Sequence, residues 1–428
     1  MNLLIKSAKI IDTNSKYHNK IMDVFIKDGK IEKIAKSIKS CKESLAKGTE
    51  IEYSANNLHL SPGWFDLHTN FSEPGNEQKE TLESGSNAAI KGGFTGVMIM
   101  PNTNPSLDSK GMIKYIQNST LGNIVDILPA GNLTIKQKGD EIVEIHEMSR
   151  AGCKAFTDDK MSIKRNEVLK IAMLYAKDSN TLIMNYPNEC SLANDGHMHE
   201  GAVSTKLGIK GIPSIAEELM VDRDISICEY TNSRFHLSYL STKRSVEKIK
   251  KAKSKGLNIT SDVALHNLFL TDEAINNFDT RYKVMPPLRT KNDNVALIKA
   301  LKEGTIDAIT TDHSPQNDEH KRVEFDNAED GIIGLESAFG LLGKHLLPHI
   351  GLSILIEKIA INPRKILNIS DATIREGNAA NITLFNPDLE WEFKKIDIKS
   401  KSNNTPFIGS KLKGKPLAIF NNGKFKEC

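Results

Sequence analysis

The sequence predicts an α/β protein built on a (β/α)8 barrel of the TIM type, with a small β-sandwich domain formed by both ends of the chain. In the central region, apolar strand-like segments alternate with amphipathic helical segments, which is typical of a parallel barrel. Both ends of the chain instead show only β-type patterns. The length of 428 residues is enough for one large barrel and a small second domain.

Eight strands and the helices between them can be placed in the central region from apolar periodicity. The predicted strands are residues 58–66, 95–101, 126–130, 154–157, 181–185, 234–238, 258–264 and 306–311. The clearest helical patterns are residues 79–91, 164–177, 242–255 and 292–302. A βα unit that occurs eight times in succession predicts a closed barrel.

The two ends of the chain predict one shared β-domain. Its extended segments and turns are residues 23–26, Asp28-Gly29, 30–34, 380–385, 417–420 and Asn422-Gly423. The Asp-Gly and Asn-Gly pairs are hairpin signals. We therefore expect residues 1–55 and 375–428 to form a composite β-domain, and residues 56–374 to form the barrel.

Composition excludes several classes of function. The net charge is only +3, with 57 Lys and Arg against 54 Asp and Glu, whereas a nucleic-acid binder usually carries a basic excess. No apolar run approaches the roughly 20 residues of a membrane span, and the N-terminal run is too short for a signal peptide. The five cysteines are Cys41, Cys153, Cys190, Cys228 and Cys428. They form no C-x-x-C pair, so reduced thiols in a cytoplasmic protein are expected rather than a thiolate zinc site.

Polar side chains follow most of the predicted barrel strands. They are His68, Asn70, Asn102, Asn104, Asn132, Asp158, Tyr186, His236, His266, Asp312 and His313. In a barrel of this type, the C-terminal ends of the strands carry the chemistry. These residues are therefore the candidate site, on the strand pattern alone.

The segment Asp66-Leu67-His68-Thr69-Asn70-Phe71-Ser72-Glu73-Pro74-Gly75 resembles the D-x-H-x-H-x-R-E-P-G motif of dihydroorotases. These are amidohydrolases that open and close a cyclic ureide in pyrimidine synthesis. Further segments resemble the family in the same order along the chain: Lys79-Glu80-Thr81, Gly92-Gly93-Phe94-Thr95, Met100-Pro101-Asn102-Thr103-Asn104-Pro105, Phe156-Thr157-Asp158-Asp159, Met198-His199-Glu200-Gly201, Pro286-Pro287-Leu288-Arg289, Thr311-Asp312-His313-Ser314-Pro315, Gly331-Ile332-Ile333-Gly334-Leu335-Glu336 and Asn404-Thr405-Pro406-Phe407. The resemblance covers the whole chain.

The resemblance implies a two-metal centre, of which this chain retains only a part. The retained ligands are His68, Asp158, His236 and Asp312, with Asp158 as the bridging carboxylate and Asp312 as the catalytic group that also moves the proton. Asn70 and Tyr186 stand where the family has His, and amide or phenol oxygens are poor replacements for imidazole. We expect at most one weakly bound zinc ion, held by His68, Asp158 and Asp312. The open alternative is a metal-free hydrogen-bonded network of the same residues.

The substrate pocket that the resemblance implies lacks a charged side chain that the family has. Ser72 stands where the family's Arg would clamp the substrate carboxylate, a task suited to a bidentate guanidinium. Met285 replaces an Asn and Gln316 replaces a His. Asn102 and Asn104 are retained, and His266 is either a pocket-wall residue or a core hydrogen-bonding residue.

Three hypotheses of function follow. The chain is a dihydroorotase-like amidohydrolase of pyrimidine biosynthesis whose own activity is weak or absent, or it is a non-catalytic homologue that assembles with an active pyrimidine-pathway enzyme. The third hypothesis is a repurposed binder of a small molecule in the barrel mouth. A homodimer is expected in each case, and neither nucleic acid nor a membrane is expected as a partner.

Overall fold

The computed structural model describes residues 2–39 and 50–428 of the chain, so Cys41 lies outside the described residues. The strands are β1 Asn2–Ile10, β2 Ile21–Lys27, β3 Lys30–Ala35, β4 Glu50–Tyr53, β5 His59–Pro62, β6 Trp64–Thr69, β7 Phe94–Ile99, β8 Asp126–Pro129, β9 Ala155–Phe156, β10 Leu182–Asn185, β11 Met198–His199, β12 Gly211–Ile212, β13 Phe235–Leu237, β14 Ile259–Ala264, β15 Ala308–Thr310, β16 Ile382–Glu392, β17 Lys411–Asn421 and β18 Lys424–Glu427. The α-helices are α1 Leu82–Lys91, α2 Lys110–Ser119, α3 Ile145–Arg150, α4 Asn166–Asp178, α5 Cys190–Ala193, α6 Ala202–Leu207, α7 Ser214–Thr231, α8 Lys243–Ser254, α9 Lys291–Glu303, α10 Asp318–Lys321, α11 Ala338–His345, α12 Leu347–Ile350, α13 Leu352–Ile356 and α14 Asn362–Ile366.

The central strands close into a parallel barrel. One sheet has the order β6-β7-β8 and another has the order β15-β14-β13-β10-β9, and all of these pairs are parallel. The bridge between Gly131 and Phe156 joins the first sheet to β9, and the bridge between Thr69 and His313 joins β6 to the segment after β15. The eight strands expected from the sequence therefore form one closed ring.

Strands from both ends of the chain form a second sheet. Its order is β18-β17-β16-β5-β1-β2-β3, with β4 paired to β1. The hairpin between β2 and β3 turns at Asp28 and Gly29, whose φ angles are +48° and +77°, as the sequence signal predicts. Apolar side chains of these strands enclose a core of their own. The sheet is composite, while the exact domain boundaries stay a prediction.

The predicted strand at residues 58–66 is two strands in the structure. β5 pairs with β1 and β16 in the terminal sheet, whereas β6 pairs with β7 in the barrel. Gly63 separates them, and a Cβ on Gly63 would stand 2.0 Å from Asn381 Oδ1 and 2.1 Å from Thr95 Oγ1. An unbroken apolar run does not show such a change of sheet, because both strands are buried. The barrel strand β6 also continues to Thr69, beyond the predicted end at residue 66, so His68 lies within the strand rather than after it.

Capping residues set the two ends of helix α9. In α9, the Thr290 side chain accepts from the amide of Asp293 while the Asp293 side chain accepts from the amide of Thr290, which is a capping box. Gly304 ends the helix with a φ of +80°, a conformation that glycine adopts without strain. The apolar face of α9 buries Leu297 and Leu301 against the barrel.

The described cysteines form no disulfide, and Cys153 and Cys228 are buried. Among the described residues, no helix combines the length and the apolar character needed to cross a bilayer.

Candidate active site

Two imidazoles and one carboxylate meet inside the barrel. His68 on β6 and His236 on β13 both donate from Nε2 to the same atom, Oδ2 of Asp262 on β14, at 2.5 Å and 2.8 Å. All three side chains are at most 1% exposed. In the described part of the chain, these residues form the group whose ligand atoms lie close enough together to hold one metal ion.

The charges of this group stabilise one another. Burial alone would raise the pKa of Asp262, but the two imidazoles outweigh it and hold that pKa well below its usual range. Burial alone would lower the pKa of His68, but Asp262 raises it overall. The other oxygen of Asp262 accepts from the backbone amide of Tyr239 at 2.7 Å, and the Tyr239 ring lies 4.2 Å from the His68 ring. Tyr239 has a φ of +58°, a strained conformation for a non-glycine residue that is common at functional sites.

Asp312 lies in the barrel mouth but binds a lysine. Lys160 Nζ is 2.9 Å from each carboxylate oxygen of Asp312, which is fully buried. Burial raises the pKa of Asp312 to about 6, although Lys160 opposes the shift. The structure thus pairs Asp312 with Lys160, while the expected role of Asp312 as a metal ligand stays a prediction.

The neighbouring acids Asp158 and Asp159 have different hydrogen-bond partners. The Asp158 carboxylate accepts from the amides of Leu133 and Thr134 at 2.9 Å and 3.0 Å, and from the Thr134 hydroxyl. Asp159, with a φ of +50°, faces the site and contacts Asn102 and the Tyr239 hydroxyl. Both carboxylates line the cavity in the barrel mouth, but they differ in their hydrogen-bond partners. Asp158 therefore stabilises the loop at Leu133 and Thr134, while its expected bridging role stays a prediction.

Asn70 and Tyr186 are both buried, and each contacts neighbouring side chains. Asn70 donates to the Ser314 hydroxyl at 3.0 Å, and its Oδ1 has no hydrogen-bond partner among the described residues. Tyr186 is buried and packs with Tyr239 and Met285 in one apolar cluster. Two positions expected to be polar in the family are thus occupied here by a phenol and a thioether that belong to one apolar cluster.

The remaining candidate substrate residues do not all line the same space. A cavity of about 310 Å³ in the barrel mouth is lined by Asn70, Ser72, Asn76, Lys79, Asn102, Gln137, Asp158, Asp159, Lys160, Met161, Ser314, Pro315, Gln316, Glu329 and Asp330. Asn104 lies outside this lining, and its backbone amide donates to the Pro74 carbonyl. Gln316 donates to the Asp330 carbonyl at 2.9 Å, and its Oε1 is buried without a described partner. His266 lies behind the wall, with Nε2 3.8 Å from Asp312 Oδ2.

The donor set fits one zinc ion but not two. Two imidazoles and a carboxylate are ligands that catalytic zinc sites use, and ligands of one zinc ion are roughly 3.3 Å apart at bond lengths of about 2.0–2.1 Å. The observed separations of 2.5 Å and 2.8 Å are hydrogen-bond lengths, so His68 and His236 would each move back slightly from Asp262 to hold the ion. A second ion would need Asp312, Asp159 or Asp158, and each of these already has other partners.

Sequence reasoning missed Asp262, Asp159 and Lys160. Asp262 lies in the middle of predicted strand 258–264, where Thr260 and Asp262 share a face of alternating residues. Two polar side chains on the inward face of a buried strand were a usable signal. The contact between Lys160 and Asp312 joins residues 152 apart and has no local signature.

We predict that His266 makes stability depend on pH. Burial first, and the Lys160 charge second, lower the pKa of His266 to about 3 from its ordinary 6.5. A depressed histidine pKa contributes stability that is present above the ordinary pKa and is lost as the pH falls towards the folded value. When the pH falls from about 7 to about 4.5, His266 should lower the free energy of unfolding of the unmodified protein by about 2–3 kcal/mol. The His266→Gln variant should lack this loss.

Urea unfolding of the unmodified protein and of His266→Gln at the two pH values measures this difference. His349→Gln, at an exposed histidine, is the matched control and should behave as the unmodified protein. Equal pH dependence in all three proteins would contradict the prediction.

Comparison with known proteins agrees with this architecture. A family model described as dihydro-orotase-like matches residues 58–245. A dihydroorotase from Geobacter metallireducens is 38% identical over 427 residues, which is 99% of each chain. A dihydroorotase from Pelotomaculum thermopropionicum is 40% identical over 427 residues, covering 99% of this chain and 98% of that protein.

Solved structures show the same fold at low identity. An L-hydantoinase (dihydropyrimidinase) from Arthrobacter aurescens has a TM-score of 0.85 and 18% identity, covering 99% of this chain and 95% of that one. A dihydropyrimidinase from Brevibacillus agri has a TM-score of 0.84 and 20% identity, with coverage of 99% and 95%. The predicted barrel with a small β-domain is thereby confirmed as the fold class.

Proposed function

The chain belongs to the dihydroorotase family, and from that premise we propose that it is a dihydroorotase-like amidohydrolase of pyrimidine biosynthesis whose own hydrolysis of the cyclic ureide is weak or absent. The observation that carries the proposal is the apolar cluster beside the metal-binding group. Tyr186, Tyr239 and Met285 pack together there, and the Tyr239 ring lies against His68. Two of these positions are ones where the resemblance calls for polar groups.

We propose that the metal-binding group, if loaded, holds one zinc ion through His68, His236 and Asp262. When bound, such an ion supplies a Lewis acid and lowers the pKa of a bound water. The chain's own residues then keep the imidazoles oriented, since His236 Nδ1 is 2.8 Å from the Thr260 hydroxyl. Outer contacts of this kind fix the tautomer and position of a metal-binding histidine.

Substrate binding gives a second reason for weak activity. The substrate of a dihydroorotase carries a carboxylate, and Ser72 offers no charge for it. The lysines that line the cavity are Lys79 and Lys160, and Lys160 is already paired with Asp312. Lys79 remains at the rim, where an ammonium cannot make the bidentate contact of a guanidinium.

The test is turnover of dihydroorotate by the purified, zinc-loaded protein. We expect kcat/KM about 10⁴-fold below that of the Geobacter metallireducens relative, because two lost transition-state contacts are each worth ~3 kcal/mol. Turnover comparable to the relative, abolished by Asp312→Ala, would overturn the proposal. The protein would then be a metal-dependent enzyme of the usual kind.

A role in assembly is the second candidate function, and exposed apolar side chains favour it. They lie on the adjacent helices α4 and α7 and are Ile171, Leu174, Tyr175, Ile215, Leu219 and Tyr230, each at least 40% exposed. A cytoplasmic protein kept for its surfaces would use such a face to bind a second copy of itself, or an active enzyme of the same pathway. Exposed apolar side chains grouped on neighbouring helices are a feature of many interfaces.

We predict a homodimer that depends on this face. Tyr175→Glu combined with Tyr230→Glu should place two charges in the interface and shift the protein to monomers. Light scattering at micromolar concentration measures the change in mass. Tyr115→Glu, at an exposed tyrosine on α2, is the control and should leave the mass unchanged. A monomeric mass for the unmodified protein would contradict the prediction.

A further inference from the structure

Lys160 places an ammonium group at the centre of the barrel mouth. Its Nζ is 2.9 Å from both oxygens of Asp312, and its side chain is only 19% exposed. The same Nζ lies 5.2 Å from the centre of the Tyr239 ring, within the range of a cation–π contact. Lys160 is therefore held by a buried carboxylate on one side and an aromatic face on the other.

The surroundings of Lys160 keep it charged. Burial alone would lower the pKa of Lys160, but Asp312, Asp159 and Asp330 outweigh burial and raise it. Asp159 and Asp330 also line the cavity. The ammonium group thus lies among three carboxylates, where a bound cation would also be stabilised.

We infer that Lys160 is the built-in cation of this site, and that its ammonium group stands in for a second divalent metal ion by neutralising Asp312. The resemblance to the family implies a two-metal centre, whereas among the described residues the donors that could hold an ion are His68, His236 and Asp262. A divalent ion next to Asp312 would meet the repulsion of the ammonium group and would have to displace it. The lysine thus makes the second ion unnecessary for holding the acidic groups together.

Two neighbouring groups are consistent with a cation that belongs to the protein. His266 Nε2 is 3.8 Å from Asp312 and is buried without a described hydrogen-bond partner, although an imidazole there could have served as a metal ligand. Ser314 Oγ donates weakly to Asp312 at 3.4 Å and accepts from Asn70. Asp312 is therefore coordinated by protein donors alone.

Cobalt(II) titration of the full-length protein tests the inference, with the visible spectrum and the metal content per chain as readouts. Lys160→Met removes the charge and keeps the length of the side chain. At about pH 8 it should gain a second Co²⁺ site at least about tenfold tighter than anything the unmodified protein shows there. Lys160→Met with Asp312→Asn should lose that gain, and Lys160→Arg should not acquire it. Lys164→Met, at an exposed lysine of the same segment, is the control.

A second arm does not require Lys160→Met to fold. In the otherwise unmodified protein, Asp312→Asn should change the affinity of the first Co²⁺ by less than about twofold, whereas removal of a true ligand costs far more. A loss of tenfold or more would make Asp312 a ligand and overturn the inference. A second Co²⁺ of comparable affinity in the unmodified protein would also overturn it, as would a folded Lys160→Met that gains no site. These readouts are metal content and spectra, so they are independent of whether dihydroorotate is turned over.

Discussion

Asp262→Asn is expected to be the most damaging single substitution at the site, with a loss of about 3–5 kcal/mol in the free energy of unfolding. One carboxylate accepts from His68 Nε2, His236 Nε2 and the Tyr239 amide. Asparagine keeps the shape but removes the charge that the buried His68 needs, and it turns one oxygen into a donor. A buried ionic pair that loses one partner leaves the other charge uncompensated.

The same substitution should lower the affinity for zinc or cobalt by about 100-fold, because it removes one of three ligands. Urea unfolding at neutral pH and Co²⁺ titration measure the two effects. Asp178→Asn, at an exposed carboxylate on α4, is the control and should change neither quantity. An unfolding free energy within about 1 kcal/mol of the unmodified protein would contradict the stability prediction. Unchanged metal affinity would place the ion elsewhere.

Most of the fold could be predicted because it rests on local patterns. The barrel strands are apolar runs between amphipathic helices, and each such pattern can be recognised within a dozen residues. The hairpin at Asp28 and Gly29 follows from a turn type that those two residues favour. The division of residues 58–66 into two strands could not be predicted in this way, since Gly63 is needed for a contact with Asn381, more than 300 positions away.

The site was less predictable, because its geometry depends on backbone angles and on long-range contacts. The different partners of Asp158 and Asp159 depend on the left-handed backbone of Asp159 after β9, and an Asp-Asp pair alone does not show it. Asp262 could not be found among the residues that follow the strands, because it lies within β14. The pairing of Lys160 with Asp312 requires the closed barrel before it can be recognised at all.

Restoring the missing groups together, with Asn70→His, Tyr186→His and Ser72→Arg, is expected to improve metal binding before it improves catalysis. Two added imidazoles should raise zinc affinity by about 10–100-fold, the range over which such sites respond to a gained or lost contact. Replacing Tyr186 also opens the apolar cluster with Tyr239 and Met285, which gives polar groups access to the metal-binding residues. Ser72→Arg supplies the guanidinium that a substrate carboxylate needs.

Activity should return only in part, because Met285 and Gln316 are unchanged and Lys160 still holds the carboxylate of Asp312. A group that is to carry a proton must be free to accept it, and Asp312 is bound through both oxygens. Adding Lys160→Met to the triple variant should therefore raise dihydroorotate turnover further, by about tenfold or more. Metal content and kcat/KM of the triple and quadruple variants decide the matter, with Asn70→Gln, Tyr186→Phe and Ser72→Ala as the matched control. If the triple variant alone reached the turnover of the Pelotomaculum thermopropionicum relative, the pairing of Lys160 with Asp312 would be no obstacle to catalysis.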